Sequence, residues 1–530
     1  MVTPATAASP AAPQMPPAPA AAHPPLRGAA LVAGTFALSV ATFMVVLDTS
    51  IANVSIPAIS GDLAVSTSQG TWVITSFAVA NAIAVPLTGW LSQRFGAVRL
   101  FALSTLLFVL GSWLCGLATS IEMLIVFRVL QGLVAGPLIP LSQALLLSSY
   151  PRSKSGTALA MWSMTTLIAP VAGPLLGGWI TDNISWPWIF YINIPVGILA
   201  VYLTWAIYRH RETPTRKLPI DTIGLALLVL WIGALQIMLD KGKELDWFEN
   251  RQIITLAVVA FVGFVFFLIW ELHDEHPVVD LRLFAGRNFA MGTLCLGLAY
   301  GVFFANVVIL PLWLQTQLSY TATDAGYVLA PVGILAILLS PVVGRMVGRV
   351  DQRYVASTSF LLFAVISYMR SRFNAQVDIG TLMIPTVLQG AAVACFFIPL
   401  VSITLSGLPP DRIPSASGLS NFARITAGAF GTSISTTLWD NRAAMHHAHL
   451  AESISTGSVA TTQTLSGLQG SGMDPAQSLA MIDRMINVQA YVLAADDIFY
   501  VSTVIFVLMI PLLWFTHPLK SSVTDAGGAH

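Results

Sequence analysis

The chain has 530 residues, of which 55% are hydrophobic and only 9% are charged, and its Lys and Arg residues balance its Asp and Glu residues at zero net charge. Soluble domains carry about 25% charged residues, so the composition predicts a polytopic membrane protein that lies in a lipid bilayer. The lack of net positive charge argues against nucleic-acid binding, and the three cysteines fall in separate apolar runs, which is typical of small buried side chains.

The chain begins with a Pro/Ala-rich segment, residues 1–30, that lacks the basic and apolar regions of a secretory signal and is expected to be a disordered cytoplasmic tail. Apolar runs of about 20 residues, the length needed to cross the hydrocarbon, then follow one another. They predict an all-α fold with about fourteen transmembrane helices, near residues 31–56, 70–91, 98–118, 121–148, 156–180, 188–208, 220–240, 252–271, 289–315, 325–347, 353–371, 379–407, 416–438 and 496–515. Residues 519–530 are expected to form a second cytoplasmic tail.

A short internal repeat divides these helices into two halves. The segment PLTGWLSQR, Pro86–Arg94, matches PVVGRMVGR, Pro341–Arg349, in its first proline, its glycine at the fourth position and its final arginine. The repeat predicts an N-terminal six-helix half over 31–210 and a C-terminal six-helix half over 289–518, with two additional helices and their loops at 211–288. Transporters commonly show such duplication, with the substrate site near the midplane between the halves.

The distribution of Lys and Arg residues predicts that both termini are cytoplasmic. The cytoplasmic side receives sixteen of these cations, and the outer side receives seven, with Arg370 counted among the seven. The longest outer segment, 439–495, has helix-like ends and serves either as a docking surface or as a cap over the cavity. Its His446, His447 and His449 lack the spacing of known metal sites, so a solvated helical face is favoured over a metal site.

Three charged residues fall clearly inside predicted spans: Asp48, Arg128 and Arg424. A charge at the bilayer centre costs about 2.5–3.5 kcal/mol on insertion scales, so such residues normally face a cavity and serve ion or substrate movement. Asp48 lies on a face of small residues, is expected to point inward, and is predicted to be the only clear carboxylate within the spans. Arg128 either responds to the protonation of a partner or ties helices together, and Arg424 borders either a cavity or an interhelical seam.

Two further sets of residues are candidates for a site. Proline bends a helix and closely spaced glycines allow tight packing, so the run APVAGPLLGGWI fits a moving interface and, equally, static packing; it contains Pro170, Gly173, Pro174, Gly177 and Gly178. Aromatic and Met-rich spans offer an adaptable apolar lining for loosely specific binding. The predicted lining residues of a substrate cavity are Asp48, Phe304, Asn306, Gln389, Phe396 and Arg424.

Four motifs in the chain resemble those of the major facilitator superfamily, and within it the fourteen-span drug:proton antiporters. LDTSIANVSIP is similar to their first-span motif, GWLSQRFGAVRL to the loop motif after the second span, RVLQGLVAGP to the proton-coupling motif of the fourth span, and AGPLLGG to the antiporter motif of the fifth. The resemblance covers essentially all of residues 31–518. The chain departs from the family pattern at Gln93, where the loop motif usually has an acid, and at Ala169, where the antiporter motif often has Gly.

The resemblance implies a role for each motif. Asp48 and Arg128 would couple proton movement to transport. Gating of the cytoplasmic loop would fall to Gly89, Arg94, Gly96 and Arg99. The antiporter hinge would consist of Pro170, Gly173, Pro174, Gly177 and Gly178.

The resemblance also implies proton-driven export of hydrophobic drugs and toxic compounds across the bacterial inner membrane by alternating access. A periplasmic adaptor and an outer-membrane channel would be the partners, with no cofactor and no metal. Import or facilitated movement of a small metabolite is the alternative, because a fold does not fix a function. A membrane enzyme is disfavoured because the predicted spans lack clusters of His, Ser and acidic residues near an interface.

Overall fold

The structure is a computed structural model that describes residues 24–151, 154–216, 219, 221–275, 277–320, 322–347, 349–452, 454 and 458–518. Residues 1–23 of the tail predicted for 1–30 lie outside the described residues. The whole of the tail predicted for 519–530 also lies outside them.

Twenty α-helices make up nearly all of the described chain. In chain order they are α1 Gly28–Asp62, α2 Thr67–Gly70, α3 Trp72–Ala84, α4 Thr88–Phe95, α5 Ala97–Gly116, α6 Ile121–Ala135, α7 Leu138–Ser149, α8 Ser155–Asn183, α9 Trp188–Tyr191, α10 Asn193–Tyr208, α11 Thr222–Lys241, α12 Arg251–His273, α13 Arg287–Thr316, α14 Ala322–Leu329, α15 Val332–Met346, α16 Gln352–Arg370, α17 Ile379–Thr404, α18 Ile413–Glu452, α19 Val459–Gly470 and α20 Pro475–Leu513.

Local sequence explains where these helices begin and break. Side-chain oxygens of Ser120, Asp221 and Asp378 accept hydrogen bonds from the first free backbone N–H groups of α6, α11 and α17, as N-cap residues do. The α3–α4 pair is bent by 62° at a break that contains Pro86, whose ring cannot donate the helical hydrogen bond.

Each of the fourteen predicted spans overlaps a helix. Within the described residues, ten helices or joined helices are long and apolar enough to cross a membrane, and the bent α3–α4 pair makes eleven. The remaining predicted spans coincide with α8, α16 and α18. The count of fourteen spans therefore stays a prediction.

The helices pack around separate apolar cores before and after residue 288. The N-terminal core contains Phe101, Phe108 and Trp162 together with buried residues of α1, α3, α6, α7 and α10. The C-terminal core is built from α13, α16, α17 and α20 and includes Phe360 and Phe506. Burial of such aromatic side chains dominates core energetics, so each group of helices has its own packing centre.

The helix α11 contacts both groups, and α12 packs on α11. The Trp231 ring of α11 lies against Phe264 of α12 and Phe422 of α18, with ring centroids 4.9 and 5.8 Å apart. Lys241, at the end of α11, donates to the hydroxyl of Thr71 just before α3, at 3.0 Å. These contacts place α11 alongside the junction of the N- and C-terminal groups.

The predicted helical ends of segment 439–495 are confirmed, since α18 runs on to Glu452 and α20 begins at Pro475. The Trp439 indole donates to the Tyr491 carbonyl at 3.1 Å, and Asp497 binds both Arg442 and His446 at 2.8 Å. These bonds hold the extended ends of α18 and α20 together.

The histidines of that segment bind different acids, since His446 contacts Asp497 while His447 contacts Asp483 at 3.1 Å. Within the described ranges, no cluster of three or more His, Cys, Asp or Glu side chains has an arrangement that could hold a metal ion.

Candidate functional site

The centre of the N-terminal group holds a buried ion pair between Asp48 of α1 and Arg128 of α6. The Arg128 Nη1 donates to Asp48 Oδ2 at 2.6 Å, and the two side chains are 0% and 1% exposed. The guanidinium also donates through Nε to the Val73 carbonyl at 3.0 Å and lies over the Phe77 ring at 4.2 Å. Arg128 thus joins α6 to both α1 and the α3 region.

Three amide and hydroxyl side chains complete this network. Asn193 of α10 donates to Asp48 Oδ1 at 2.9 Å, and Gln131 donates to the same oxygen at 3.4 Å. Gln131 accepts from Arg128 at 2.7 Å and donates to Ser112 of α5 at 2.7 Å. Four helices therefore contribute to the surroundings of one carboxylate. We define these residues, Asp48, Ser112, Arg128, Gln131 and Asn193, as the Asp48 network.

The Asp48 network can respond to a proton in a definite way. An ionised carboxylate is an acceptor only, whereas a protonated one carries a donor O–H. All the contacts of Asp48 described above come from donors, which match the acceptor oxygens of an ionised carboxylate. Protonation removes the charge that compensates the buried guanidinium, and an uncompensated buried charge is costly. Protonation of Asp48 would therefore remove the charged contact that joins α1 to α6.

Glycines on α6 and α8 set close helix contacts around this network. A side chain at Gly132 would clash with the Phe77 carbonyl and with Ala80 of α3, and one at Gly136 would clash with Ala84. The close helix approach predicted for Gly132 and Gly136 is thus confirmed.

On α8, Gly173 packs on Ser50 and Gly177 packs on Ile51, two and three residues after Asp48, whereas no heavy atom lies within 4 Å of a Cβ at Gly178. The helix α8 continues unbroken through the run that carries the two prolines. The side chains of Pro170 and Pro174 lie outside the described ones. The predicted hinge residues Gly173 and Gly177 therefore contact the helix that carries Asp48, and Gly178 does not.

The predicted gating loop binds an acid from outside the sequence motif, Glu212. The Glu212 carboxylate accepts from the backbone N–H groups of Val98 and Arg99 at 2.9 Å each and lies 3.9 Å from the Arg99 guanidinium. Gly96 has φ of +90° and a side chain there would collide with Glu212. Although Gln93 replaces the usual acid of the motif, a carboxylate from the loop after α10 thus occupies the start of α5.

The other predicted loop residues lie nearby. The Arg94 guanidinium stacks on the Trp90 ring at 5.4 Å. The C-terminal group closes the corresponding turn with Asp351, which binds Arg353 at 2.6 Å. Partial burial alone would raise the pKa of the Asp351 carboxyl. The hydrogen bonds and the charge of Arg353 lower this pKa by more, so the pKa lies below its ordinary value.

The two groups of helices meet closely at the end that carries this loop. A Cβ at Gly89 of α4 would lie 2.7 Å from the Ser415 Cβ of α18, and a Cβ at Gly344 of α15 would lie 2.7 Å from the Gly156 carbonyl oxygen of α8. Gly89 and Gly344 are the matched glycines of the internal repeat. The repeat therefore marks two equivalent contacts, each made by one group on the other.

Arg424 belongs to a different site from Asp48. Its Nη2 donates to Asn421 at 2.9 Å, and its guanidinium lies over the Tyr300 ring at 4.5 Å. Asn421 in turn donates to Gln143 of α7 at 3.1 Å. This chain of contacts crosses between the two groups of helices at α7 and α18. Phe304, a predicted lining residue, stacks on Tyr300 at 4.5 Å and so borders the same site.

The other predicted lining residues lie deeper in the C-terminal group. Phe396 is 1% exposed and packs on Phe397 and Phe363 in the apolar core. Asn306 donates to Ser502 at 2.9 Å, and Gln389 accepts from Arg370 at 2.6 Å. Asp48, Asn306, Gln389 and Phe396 are all buried in this conformation.

One of the expectations about charged residues is wrong, and another residue is more buried than expected. Arg370, which lies at the end of the predicted span 353–371, is the last residue of α16, is 2% exposed, and binds Gln389 and Thr386 of α17, which replace water as acceptors. Asp48 is not the only buried carboxylate in a span, because Glu271, near the end of α12, is 1% exposed and accepts from the Val279 N–H. The functional candidates that the sequence did not indicate are Ser112, Asn193, Glu212 and Arg370.

Comparisons with known proteins agree with this architecture. The family model described as Major Facilitator Superfamily matches residues 38–432. The chain is 53% identical over 507 residues to the multidrug export protein EmrB of Escherichia coli K12, covering 96% of this chain and 99% of that protein. It is 48% identical over 508 residues to the fatty acid resistance protein FarB of Neisseria gonorrhoeae, covering 96% and 100%.

A solved structure shares the fold at much lower identity. The human organic anion transporter MFSD10 aligns over 91% of this chain and 99% of its own with a TM-score of 0.58 and 12% identity, a likeness that concerns the fold alone. The all-helical architecture, the paired glycine contacts and the match over most of the length lead to one conclusion: the chain belongs to the major facilitator superfamily of multi-pass membrane transporters.

Proposed function

We propose that this protein exports hydrophobic drugs and other toxic compounds across the bacterial inner membrane in exchange for protons. The observation that carries the proposal is the Asp48–Arg128 ion pair of 2.6 Å, which is sealed from solvent within a membrane-spanning bundle. Intramembrane ionisable residues of this kind characteristically serve proton or substrate movement. The 53% identity to a multidrug export protein supports the same direction of transport.

In the proposed cycle, a proton from the outer side binds the Asp48 carboxylate and weakens its contact with Arg128. Gln131 and Asn193 keep the neutral side chain in place, since each can still donate to its carbonyl oxygen. Release of that proton to the cytoplasm restores the ion pair. Asp48 is thus the proton carrier, and Arg128 is the group whose contact changes with the charge of Asp48.

The coupling to alternating access runs through α8. Gly173 and Gly177 pack against α1 immediately after Asp48, while Gly156, at the other end of α8, packs against Gly344 of the C-terminal half. A shift of α1 relative to α6 therefore displaces a helix that also forms one of the two close contacts between the halves. Packed interfaces of this type switch between discrete arrangements and do not deform continuously.

We further propose that the five-residue hinge run and the gating loop act at opposite ends of this connection through α8. The hinge comprises Pro170, Gly173, Pro174, Gly177 and Gly178, and the gate comprises Gly89, Arg94, Gly96 and Arg99. Gly89 lies against Ser415 of α18 and Gly96 against Glu212, so both glycines occupy positions where a side chain would force elements apart.

Transport in liposomes tests the proposed function. Purified protein is reconstituted with a hydrophobic fluorescent drug, and drug movement is followed under an imposed pH gradient. Export by antiport predicts that drug moves in the direction opposite to proton flow. It also predicts that adding drug changes the internal pH. Movement of drug together with protons, or movement that ignores the pH gradient, would favour the alternative of an importer or facilitator.

We propose that both termini are cytoplasmic and that the end with Gly89 and Glu212 faces the cytoplasm. The excess of Lys and Arg on that side supports this orientation. A fluorescent protein fused after residue 530 that folds only in the cytoplasm would be bright in this orientation and dark in the reverse one.

The same protein is proposed to work with a periplasmic adaptor and an outer-membrane channel, docking the adaptor on segment 439–495. Support comes from the projecting ends of α18 and α20, held together by Asp497, and from exposed apolar side chains such as Leu479. A photocrosslinker placed at Leu479 should capture a periplasmic protein in cells, whereas one at Leu508, an exposed residue in the apolar part of α20, should not. Equal capture at both positions would count against this docking surface.

A further inference from the structure

Four of the five residues of the Asp48 network have counterparts in the C-terminal half at a separation of 258 residues, three more than the 255 that separates the repeated segments Pro86–Arg94 and Pro341–Arg349. The sequence VLQG occurs at 129–132 and again at 387–390. At this separation Asp48 corresponds to Asn306, Ser112 to Arg370, Arg128 to Thr386 and Gln131 to Gln389. The four positions thus recur in order on α13, α16 and α17, just as they occur on α1, α5 and α6.

The repeated positions also contact each other in space. Gln131 donates to the Ser112 hydroxyl at 2.7 Å, and Gln389 accepts from the Arg370 guanidinium at 2.6 Å. Arg370 Nη2 additionally lies 3.4 Å from the Thr386 hydroxyl, at the position where the N-terminal half carries Arg128. The correspondence is therefore structural and is not limited to a four-letter match.

The two copies differ in charge. The N-terminal copy contains one acid and one base, which pair with each other. In the C-terminal copy the acid is replaced by Asn306 and the base lies on α16 as Arg370, which forms no ion pair with any residue in the described part of the chain. Its Nε, buried with the rest of the side chain, has no hydrogen-bond partner there.

A buried guanidinium without a counter-charge is costly to maintain, and two neutral acceptors do not remove that cost. Asn306 Oδ1 is likewise buried and without a donor among the described residues. The C-terminal copy thus has an uncompensated positive charge where the N-terminal copy has an ion pair. Each copy also holds one buried guanidinium nitrogen without a partner among the described residues, Arg128 Nη2 and Arg370 Nε.

Aromatic side chains adjoin these polar positions. Trp313 lies seven residues after Asn306, on the same face of α13, and its ring stacks on Phe373 at 6.0 Å with an interplanar angle of 13°. Phe373 follows Arg370 by three residues and donates its N–H to the Arg370 carbonyl. The Trp313 indole nitrogen is also buried without a partner in the described chain. A buried cation in the same turn of chain as a stacked pair of aromatic rings suits a ligand with one anionic group and an apolar body.

We propose that Arg370, Gln389 and Asn306 form a binding site in the C-terminal half for the carboxylate of an aromatic organic acid, whose ring contacts Trp313 and Phe373. The inference rests on the proposed export function and specifies one class of its substrates. Because Arg370 is 2% exposed in this conformation, the acid reaches it in another conformation of the transport cycle. In that conformation the bound carboxylate pairs with Arg370, as Asp48 pairs with Arg128.

Binding of a matched pair of probes tests this site. The probes are 2-naphthoate and 2-naphthamide, which share their rings and differ in charge, measured by calorimetry on full-length protein in lipid nanodiscs. Arg370→Gln should weaken 2-naphthoate binding at least tenfold and leave 2-naphthamide binding within twofold of the parent. Arg372→Gln, which removes an exposed arginine two residues away, should change neither.

A second variant leaves Arg370 in place. Thr386→Asp puts a carboxylate next to Arg370 Nη2, and this internal anion should compete with 2-naphthoate while sparing 2-naphthamide. If Arg370→Gln does not fold, this variant alone decides the matter. Equal losses of both probes, or no loss of 2-naphthoate in either variant, would overturn the proposed site and leave Arg370 as a static link between α16 and α17.

Transport of the same probes separates this inference from the proposed function. If the parent protein in liposomes exports neither probe nor any other hydrophobic compound under a pH gradient, the export function fails, and the site loses its role in export with it. If the parent exports both probes and Arg370→Gln slows them equally, only the carboxylate site fails. Selective loss of 2-naphthoate export supports both.

Discussion

The Arg128 guanidinium and the Asp48 carboxylate lie 2.6 Å apart in the N-terminal half, and neither is open to solvent. Each satisfies the charge that the other brings into an apolar bundle. The pair therefore contributes to the stability of the resting protein as well as to its proposed cycle, and substitutions can separate these two contributions.

Arg128→Met should destabilise the protein by about 3–5 kcal/mol, because loss of one partner leaves a buried charge uncompensated. The double variant Asp48→Asn with Arg128→Met removes both charges and should recover much of that stability without recovering proton-coupled export. Thermal unfolding in detergent, alongside transport in liposomes, measures the two effects. A double variant that is less stable than Arg128→Met alone would show that the pair is not the source of the loss.

Gly173→Val should block transport, because its Cβ would overlap the Ser50 side chain and lie 3.1 Å from the Ser50 backbone carbon. Gly233→Val in α11 is the matched control, since nothing lies within 4 Å of a Cβ there and the residue lies outside the proposed hinge, and it should retain most of the parent rate. Drug export from cells expressing equal amounts of each variant is the measurement. Equal loss in both variants would point to the general cost of replacing glycine in a helix instead of to the contact with α1.

A disulfide between Gly89→Cys and Ser415→Cys should lock the two halves together at the gating loop. The Cβ positions are 2.7 Å apart, somewhat closer than the spacing of about 3.8 Å in disulfides, so a small separation of α4 and α18 suffices. Oxidation should stop export and reduction should restore it, with each single cysteine variant as the control. Continued export by fully crosslinked protein would mean that the halves need not part here.

Glu212→Ala should lower stability by about 0.5–2 kcal/mol, the typical value of a helix N-terminal cap, because it removes the acceptor of the Val98 and Arg99 N–H groups. Arg99→Ala should cost no more than about 1 kcal/mol, as expected of an exposed ion pair, since the Arg99 side chain is 67% exposed. Thermal unfolding compares the two. A larger loss for Arg99→Ala would make the ion pair, not the cap, the main contact.

Composition and apolar periodicity predicted the helical membrane fold, and helices lie at all fourteen predicted positions, because burial in lipid imposes long apolar runs that a sequence displays directly. The Asp48–Arg128 pair could also be anticipated, since charges are rare in such runs. Their partners Ser112 and Asn193 could not, because small polar side chains are common in helices and only the packing of four helices brings these two to the carboxylate.

The burial of Arg370 could not be predicted for a related reason. It falls at the end of the predicted span 353–371 and is followed by Ser371 and Arg372, so the sequence favours a position at the outer surface, whereas acceptors on α17 allow it to remain buried. The sequence did contain a usable signal, the second VLQG at 387–390, which places Arg370 opposite Ser112 once the separation of 258 residues is applied. Glu212 left no comparable signal, because its contact with the loop motif joins segments more than 110 residues apart.

The most direct test of the central claim is the internal pH of liposomes that contain the Asp48→Asn protein, recorded while drug is added under a pH gradient. Glu271→Gln serves as the matched control, because it neutralises another buried carboxylate within a span. The account predicts drug-dependent proton movement for the parent and for Glu271→Gln and none for Asp48→Asn, with all three proteins present in the membrane in equal amounts. Parent-like proton movement and uphill drug export by Asp48→Asn would contradict it.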